Sequence, residues 1–149
     1  MKEIRILGRS DLLQIVKVVE SWKETDQWKL GAYLWTEEYL SAELESSLGW
    51  GSFKENELQS FIFLKDLGDI YEITSISTQF SASRRGSMEK LLQFLIKESP
   101  AKVKEIWLEA HECNLAALKL YQKCQFKIAG QRPRYYSDGR HAVLLTHHR

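Results

Sequence analysis

Cysteine is scarce in this chain. Only Cys113 and Cys124 occur in 149 residues, which excludes a disulfide scaffold and points to a reducing, cytoplasmic compartment. Proline is equally rare, with Pro100 and Pro133 both falling between expected elements, so no proline-rich linker divides the chain. No internal repeat or low-complexity tract breaks it either, and residues 1–149 read as one domain. No apolar run is long enough to cross a bilayer, and the charged N-terminus lacks the apolar core of a signal segment. A membrane partner is not expected. The formal net charge is only +1, so nothing in the bulk electrostatics argues for direct nucleic-acid binding.

What remains is an alternation of strand and helix signals. Lys2 to Leu7 alternates through Ile4 and Ile6 and predicts a strand. Ser10 is placed to cap a helix with Asp11 in its first turn and Leu12, Leu13, Ile15, Val16, Val19 and Trp22 on its apolar face. Residues 23 to 35 are irregular. Thr36 caps a second helix, with Glu37 and Glu38 at its positive end and Tyr39, Leu40 and Leu44 facing inward. Gly49 and Gly51 are expected to break the chain. Trp50 to Lys54 and Leu58 to Lys65 then form a hairpin around Glu55-Asn56, and a turn at Asp66 to Asp69 leads to a strand over Ile70 to Thr78. After the polar loop Gln79 to Arg85, Met88, Leu91, Leu92, Leu95 and Ile96 mark an amphipathic helix that Pro100 ends.

Trp107 to Phe126 organises the rest. Val103, Ile106, Trp107 and Leu108 predict a strand that ends in polar residues at His111 and Glu112. Asn114 is a good N-cap, and Ala117, Leu118, Tyr121 and Cys124 recur at helical spacing behind it. Glu109 therefore stands near the carboxyl end of a strand, where open α/β sheets bind ligands, and Tyr121 is carried on the helix that follows. A carboxylate and a phenol converging there make a base and acid pair. Phe126 to Gln131 and His141 to Thr146 predict two last strands around the loop Arg132 to Arg140.

The run Leu108-Glu109-Ala110-His111, Asn114-Leu115-Ala116-Ala117, Leu120-Tyr121 and Gln125-Phe126 resembles the GNAT acetyltransferases. Within them it is similar to the RimI type, which acetylates the N-terminal amino group of a ribosomal protein. The spacing from Glu109 to Tyr121 matches that pattern without a gap. His111 stands where the pattern has Arg, and Gln125 where it has the Gly of a left-handed helix end. Trp35-Thr36-Glu37 resembles the family's Trp-Ser-Glu. Ser83-Arg84-Arg85-Gly86-Ser87-Met88 aligns with the family's phosphate loop, keeping Gly86 but replacing its first residue with Ser83 and its last small residue with Met88.

The resemblance implies an α/β fold with a central mixed, twisted sheet of about seven strands flanked by about four helices. It implies acetyl-coenzyme A as cosubstrate, no metal, and a protein or peptide N-terminus as acceptor, a ribosomal protein among the options. Glu109 is then the catalytic base and Tyr121 the acid. Ile76, Ser77 and Thr78 hold the pantetheine arm, Arg84, Arg85, Gly86, Ser87, Met88 and Glu89 hold the diphosphate, and Asn114 contacts the cofactor. Trp35, Tyr135 and Tyr136 line the acceptor side.

Each residue also has a plainer role open to it at this level. Glu109 fits a solvated strand-end carboxylate, Tyr121 a core aromatic, Asn114 a cap alone, and Tyr135 and Tyr136 a cover for the sheet. His111 reads as a surface histidine, with a second base near Glu109 as its other option, and Cys113 as a small buried thiol. His147 and His148 are too weak a pair to predict a metal site. The activity class stays open in the same way. A small amine or a lysine is an alternative acceptor, and a GNAT-like module that binds coenzyme A without turnover is the alternative outside the enzymes.

Overall fold

The computed structural model describes residues 2–149. One seven-stranded sheet runs through it in the order β1-β2-β3-β4-β5-β7-β6. The strands are β1 (Lys2–Ile6), β2 (Leu48–Lys54), β3 (Glu57–Asp66), β4 (Ile70–Thr78), β5 (Glu105–His111), β6 (Lys127–Arg132) and β7 (Ala142–His148). All neighbours are antiparallel except β4 and β5. Four α-helices flank the sheet: α1 (Leu12–Glu20), α2 (Glu37–Ser46), α3 (Ser87–Glu98) and α4 (Leu115–Lys123). None of the described helices is long and apolar enough to cross a membrane.

The helices divide the apolar core between the two faces of the sheet. Leu91, Leu92 and Leu95 of α3 and Tyr121 of α4 pack with Ile62, Ile106, Leu108 and Leu145 on one face. Ile15, Val18 and Val19 of α1 and Leu40 of α2 pack with Phe61 and Phe63 on the other. In β5, Ile106, Leu108 and Ala110 are buried, while Trp107 between them is 38% exposed. The alternation turns Trp107 and Glu109 away from α3 and α4.

Three local expectations need correction. Ser10 does not cap α1. Residues Arg9–Asp11 form a tight 3-10 turn first, and the Asp11 carboxylate accepts from the Gly8 amide at 2.8 Å while holding Arg5 at 3.0 Å. These charge-assisted contacts hold Asp11 in the turn ahead of the helix, and its side chain makes no cap bond to α1. Leu13 is 74% exposed and Val18 takes a core position instead, in a helix that begins one residue later than the sequence suggests. Gly49 and Gly51 do not break the chain. They sit inside β2, opposite Phe63 and Phe61 of β3.

Packing explains those glycines. A Cβ on Gly49 would lie 2.6 Å from Phe63 Cε1 and 3.3 Å from Leu7 Cβ, and the Phe63 ring is fully buried. Gly49→Ala is therefore expected to destabilise the fold by roughly 1–3 kcal/mol, read as a lowered midpoint in urea unfolding. The hairpin turn agrees with expectation, since Glu55 and Asn56 both take positive φ (51° and 66°), the signature of a two-residue primed turn.

Candidate active site

The site begins with a parting of two strands. β4 and β5 pair only over Ile70↔Glu105, Tyr71↔Ile106 and Glu72↔Trp107. Beyond that point both continue, β4 to Thr78 and β5 to His111, but they no longer bond to each other. Thr74 adds to the divergence. The β3–β4 register slips between Phe63 and Leu64, leaving Thr74 as the extra residue of a bulge, a device that bends a strand. The resulting cleft, about 1210 Å³, is lined by Ile73 to Thr78 apart from Ser75 on one wall and Leu108 to His111 on the other. Because alternate peptide groups of a strand point to opposite sides, β4 leaves amides and carbonyls directed into this cleft.

On the β5 wall, the Glu109 carboxylate is half-buried and accepts from Arg132 Nη2 at 2.6 Å. Burial pushes its pKa above the ordinary carboxylate value, Arg132 opposes this, and Glu72 across the cleft adds to the rise. Glu109 is thus a carboxylate with raised basicity facing open space. Tyr121, from the second turn of α4, lines the same cleft and is only 5% exposed. Burial raises its pKa, with Tyr136 and Cys124 contributing, so the phenol stays protonated at any working pH.

α4 starts where the sequence places it. Asn114 Oδ1 accepts from the Ala117 amide at 3.3 Å. Gln125 ends the helix in the left-handed region (φ 72°), and the Phe126 amide returns to the Tyr121 carbonyl at 2.9 Å. A non-glycine residue thus makes the helix end that the family pattern gives to glycine.

His111 departs from expectation. It is 1% exposed, not a surface residue. The Cys113 amide donates to Nδ1 at 3.0 Å, which puts the ring proton on Nε2, 2.8 Å from Asp138 Oδ2. Both nitrogens are committed, so His111 is unavailable as a second base. It anchors the β6–β7 loop instead, with its ring stacked 4.6 Å from that of Tyr136. Asp138, held by the Arg140 amide and by His111, has its carboxyl pKa below the usual value. Cys113 is exposed rather than buried, because it sits in the turn between β5 and α4.

At the other end of the cleft, Gly86 takes a left-handed φ of 79° as the N-cap of α3 and accepts no side-chain cap. Nothing lies within 4 Å of where its Cβ would be. The amides of Ser87, Met88 and Glu89 open the helix behind it with the positive end of its dipole. Met88 is buried on the α3 core stripe, so its side chain leaves the loop clear. Ser87 is also buried, its Oγ accepting from Ser60, which bonds in turn to Thr78 Oγ1 (each 2.9 Å). Arg84 lines the cleft and Arg85 does not. Glu89 lines it too, paired with Lys123 of α4 at 2.8 Å. Trp22 Nε1 donates to the Thr78 carbonyl at 2.6 Å and packs edge-on to Phe80, fixing the exit of β4.

Opposite, the segment between α1 and α2 meets the β6–β7 loop. Tyr33 Oη and Ser137 Oγ are 3.0 Å apart, and the Ser137 amide also donates to Tyr33. Tyr136 is buried against Gly31. Trp35, Tyr135 and Tyr136 all line the cleft. Arg132, Asp138 and Tyr33 escaped the sequence reading, and Trp22, expected on the apolar face of α1, lies beyond its end at Glu20; each acts through a partner at least 23 residues away, and no local pattern marks such a pair.

The acetyltransferase (GNAT) family pattern matches residues 11–126. The chain belongs to the GNAT acetyltransferase family. It is accordingly an acetyl-coenzyme A-dependent acetyltransferase. Among curated relatives, the [ribosomal protein bS18]-alanine N-acetyltransferase of Escherichia coli K12 is 28% identical over 118 residues, covering 76% of this chain and 80% of its own. The crystal structure of the ribosomal-protein-S18-alanine N-acetyltransferase from Escherichia coli superposes with a TM-score of 0.78 at 23% identity, covering 99% of this chain and 94% of that one. A Thermoplasma acidophilum PaiA N-acetyltransferase, solved in complex with coenzyme A, has the same fold with a TM-score of 0.78 at 21% identity, covering 100% and 99%.

Proposed function

We propose that this GNAT enzyme acetylates the α-amino group of a protein N-terminus, with Glu109 as base, Tyr121 as acid and residues 1–149 acting as one domain. The observation that carries this reading is the shared cleft, to which β5 contributes a half-buried carboxylate and α4 a protonated phenol. The name of the Escherichia coli relative supports an α-amine and suggests a ribosomal protein as the acceptor. A cytoplasmic setting fits two unpaired cysteines.

The cleft's residues fit coenzyme A. The free edge of β4 at Ile76, Ser77 and Thr78 matches the amides of a pantetheine arm. The open Gly86, the amides of Ser87, Met88 and Glu89, and the cation of Arg84 match a diphosphate. Arg85 stands beside this loop as added positive charge, and the side-chain amide of Asn114 is within the same cleft. The cosubstrate supplies an acyl thioester activated toward an amine.

On the protein side, the chemistry needs a neutral amine. A free α-amino group has a pKa of ~7.7–8.0 against ~10.4 for lysine, so modest basicity suffices. Glu109 takes the amine proton, directly or through water, and its raised pKa brings it closer to that of the amine. Tyr121 keeps its proton at Oη and directs it to the departing sulfur. Trp35, Tyr135 and Tyr136 bound the acceptor's path.

A peptide with a free N-terminus and one internal lysine tests the proposal. After incubation with acetyl-coenzyme A, fragmentation mass spectrometry is expected to find the acetyl group on the α-amine. Label on the lysine alone, or on neither, refutes the acceptor assignment.

A further inference from the structure

Arg132 has no part in the mechanism above, yet it makes the closest contact to the proposed base. It ends β6, the edge strand, opposite Ala142 of β7. Its Nη2 donates to Glu109 Oε1 at 2.6 Å, and its guanidinium carbon lies 5.0 Å from the centre of the Tyr135 ring. The other ionisable groups that bear on Glu109 are Glu72 from β4 and Tyr136 from the β6–β7 loop. β7 places the uncharged Leu144 opposite it. Among the described residues, Arg132 is therefore the one cation acting on Glu109, beside two carboxylates, where the proposed acceptor presents its nitrogen.

We propose that Arg132 is a specificity residue that makes the site prefer α-amines to lysine side chains. Paired with Glu109, it offsets the carboxylate's attraction for a cation, so the ammonium form of an acceptor gains little by entering the site. The proposal rests on the function given above.

The selectivity follows from the two amines. Near pH 7.5 a sizeable share of an α-amine is neutral, whereas on the order of one lysine in a thousand is. An unpaired Glu109 would draw in the ammonium form and then remove its proton, which favours the amine that is nearly all ammonium. The guanidinium takes that advantage away. It also stacks near Tyr135, which holds it in place when an acceptor passes. Lysine acceptors lose most, because they have almost no neutral form to fall back on.

Two matched peptides test this, one with a free N-terminus and no lysine, the other Nα-acetylated with a single lysine. The ratio of their kcat/KM values is measured for the wild type, Arg132→Gln and Arg132→Lys. Arg132→Gln is expected to shift the ratio about tenfold toward lysine, a figure discounted for the half-exposed setting of the pair. Arg132→Lys keeps the cation and is expected to restore most of the preference. Carbon-13 NMR of the Glu109 carboxyl supplies a readout independent of activity, and its titration is expected to move to higher pH in Arg132→Gln and to return in Arg132→Lys.

An equal loss on both peptides, or an unchanged ratio, overturns the selectivity role while leaving the acetyltransfer reading intact. A wild-type enzyme that ignores the free N-terminus overturns that reading and this proposal together. If Arg132→Gln does not fold, a ratio for Arg132→Lys that moves as far toward lysine as charge removal should would equally refute the proposal, because the positive charge is still present.

Discussion

Tyr121→Phe is expected to lower kcat about 100-fold or more, the scale of losing a positioned acid, while leaving the fold almost untouched. The ring of Tyr121 packs in the core on α4, edge-on to Phe126 at 6.3 Å, and phenylalanine keeps that packing. Only the hydroxyl is lost, and among the described residues nothing hydrogen-bonds to it. Thermal melting should therefore shift little. Burial holds the phenol's pKa well above its ordinary value, so it does not ionise between pH 6 and 9. The fold-loss should accordingly be the same across that range. The raised pKa also fixes the role. Full proton transfer runs uphill from such a phenol even to the fully formed thiolate, whose conjugate acid has a pKa near ~8.5, so Tyr121 contributes chiefly by donating a hydrogen bond to the sulfur. Tyr121 acts late, as carbon and sulfur part. Steady-state rates beside a melting curve separate the two roles, since a fully active mutant would make Tyr121 a core residue and nothing more.

The parts of this site that were legible in the sequence are the local ones. Asn114 caps α4 because its side chain reaches an amide three residues on, and Thr36 does the same for α2. The apolar stripe of α3 and the β5–turn–α4 passage are likewise written in consecutive residues. The failures are all cases in which a distant partner decides. Gly49 looks like a breaker until Phe63 is known to press on it from the next strand. Ser10 looks like a cap until Arg5 and the Gly8 amide hold the Asp11 carboxylate in a 3-10 turn ahead of the helix. His111 looks solvated until the β6–β7 loop folds Asp138 and Tyr136 over it. Arg132 sits in a stretch with nothing to distinguish it from its basic neighbours. Only the order β5-β7-β6 brings it beside Glu109.

Glu109→Gln is expected to lower acetylation of an N-terminal peptide by about 10²–10³-fold at pH 7. Glutamine keeps the size and can still accept from Arg132, so the cleft should retain its shape and coenzyme A should bind as before. What disappears is the basic oxygen. The loss should depend on pH in a definite direction. Burial raises the Glu109 pKa, so the wild-type rate falls on the acid side as the carboxylate takes up a proton and stops acting as a base. Toward pH 9 an α-amine of pKa ~7.7–8.0 is already mostly neutral, and the mutant should recover part of the difference. The measurement that bears most directly on the whole account is therefore the ratio of wild-type to Glu109→Gln rates from pH 6.5 to pH 9, at saturating acetyl-coenzyme A with one free-N-terminus peptide. The account predicts a ratio that is largest near pH 7 and shrinks steadily as the pH rises. A constant ratio would mean that Glu109 positions the acceptor without taking its proton, and a ratio of one throughout would contradict the mechanism outright.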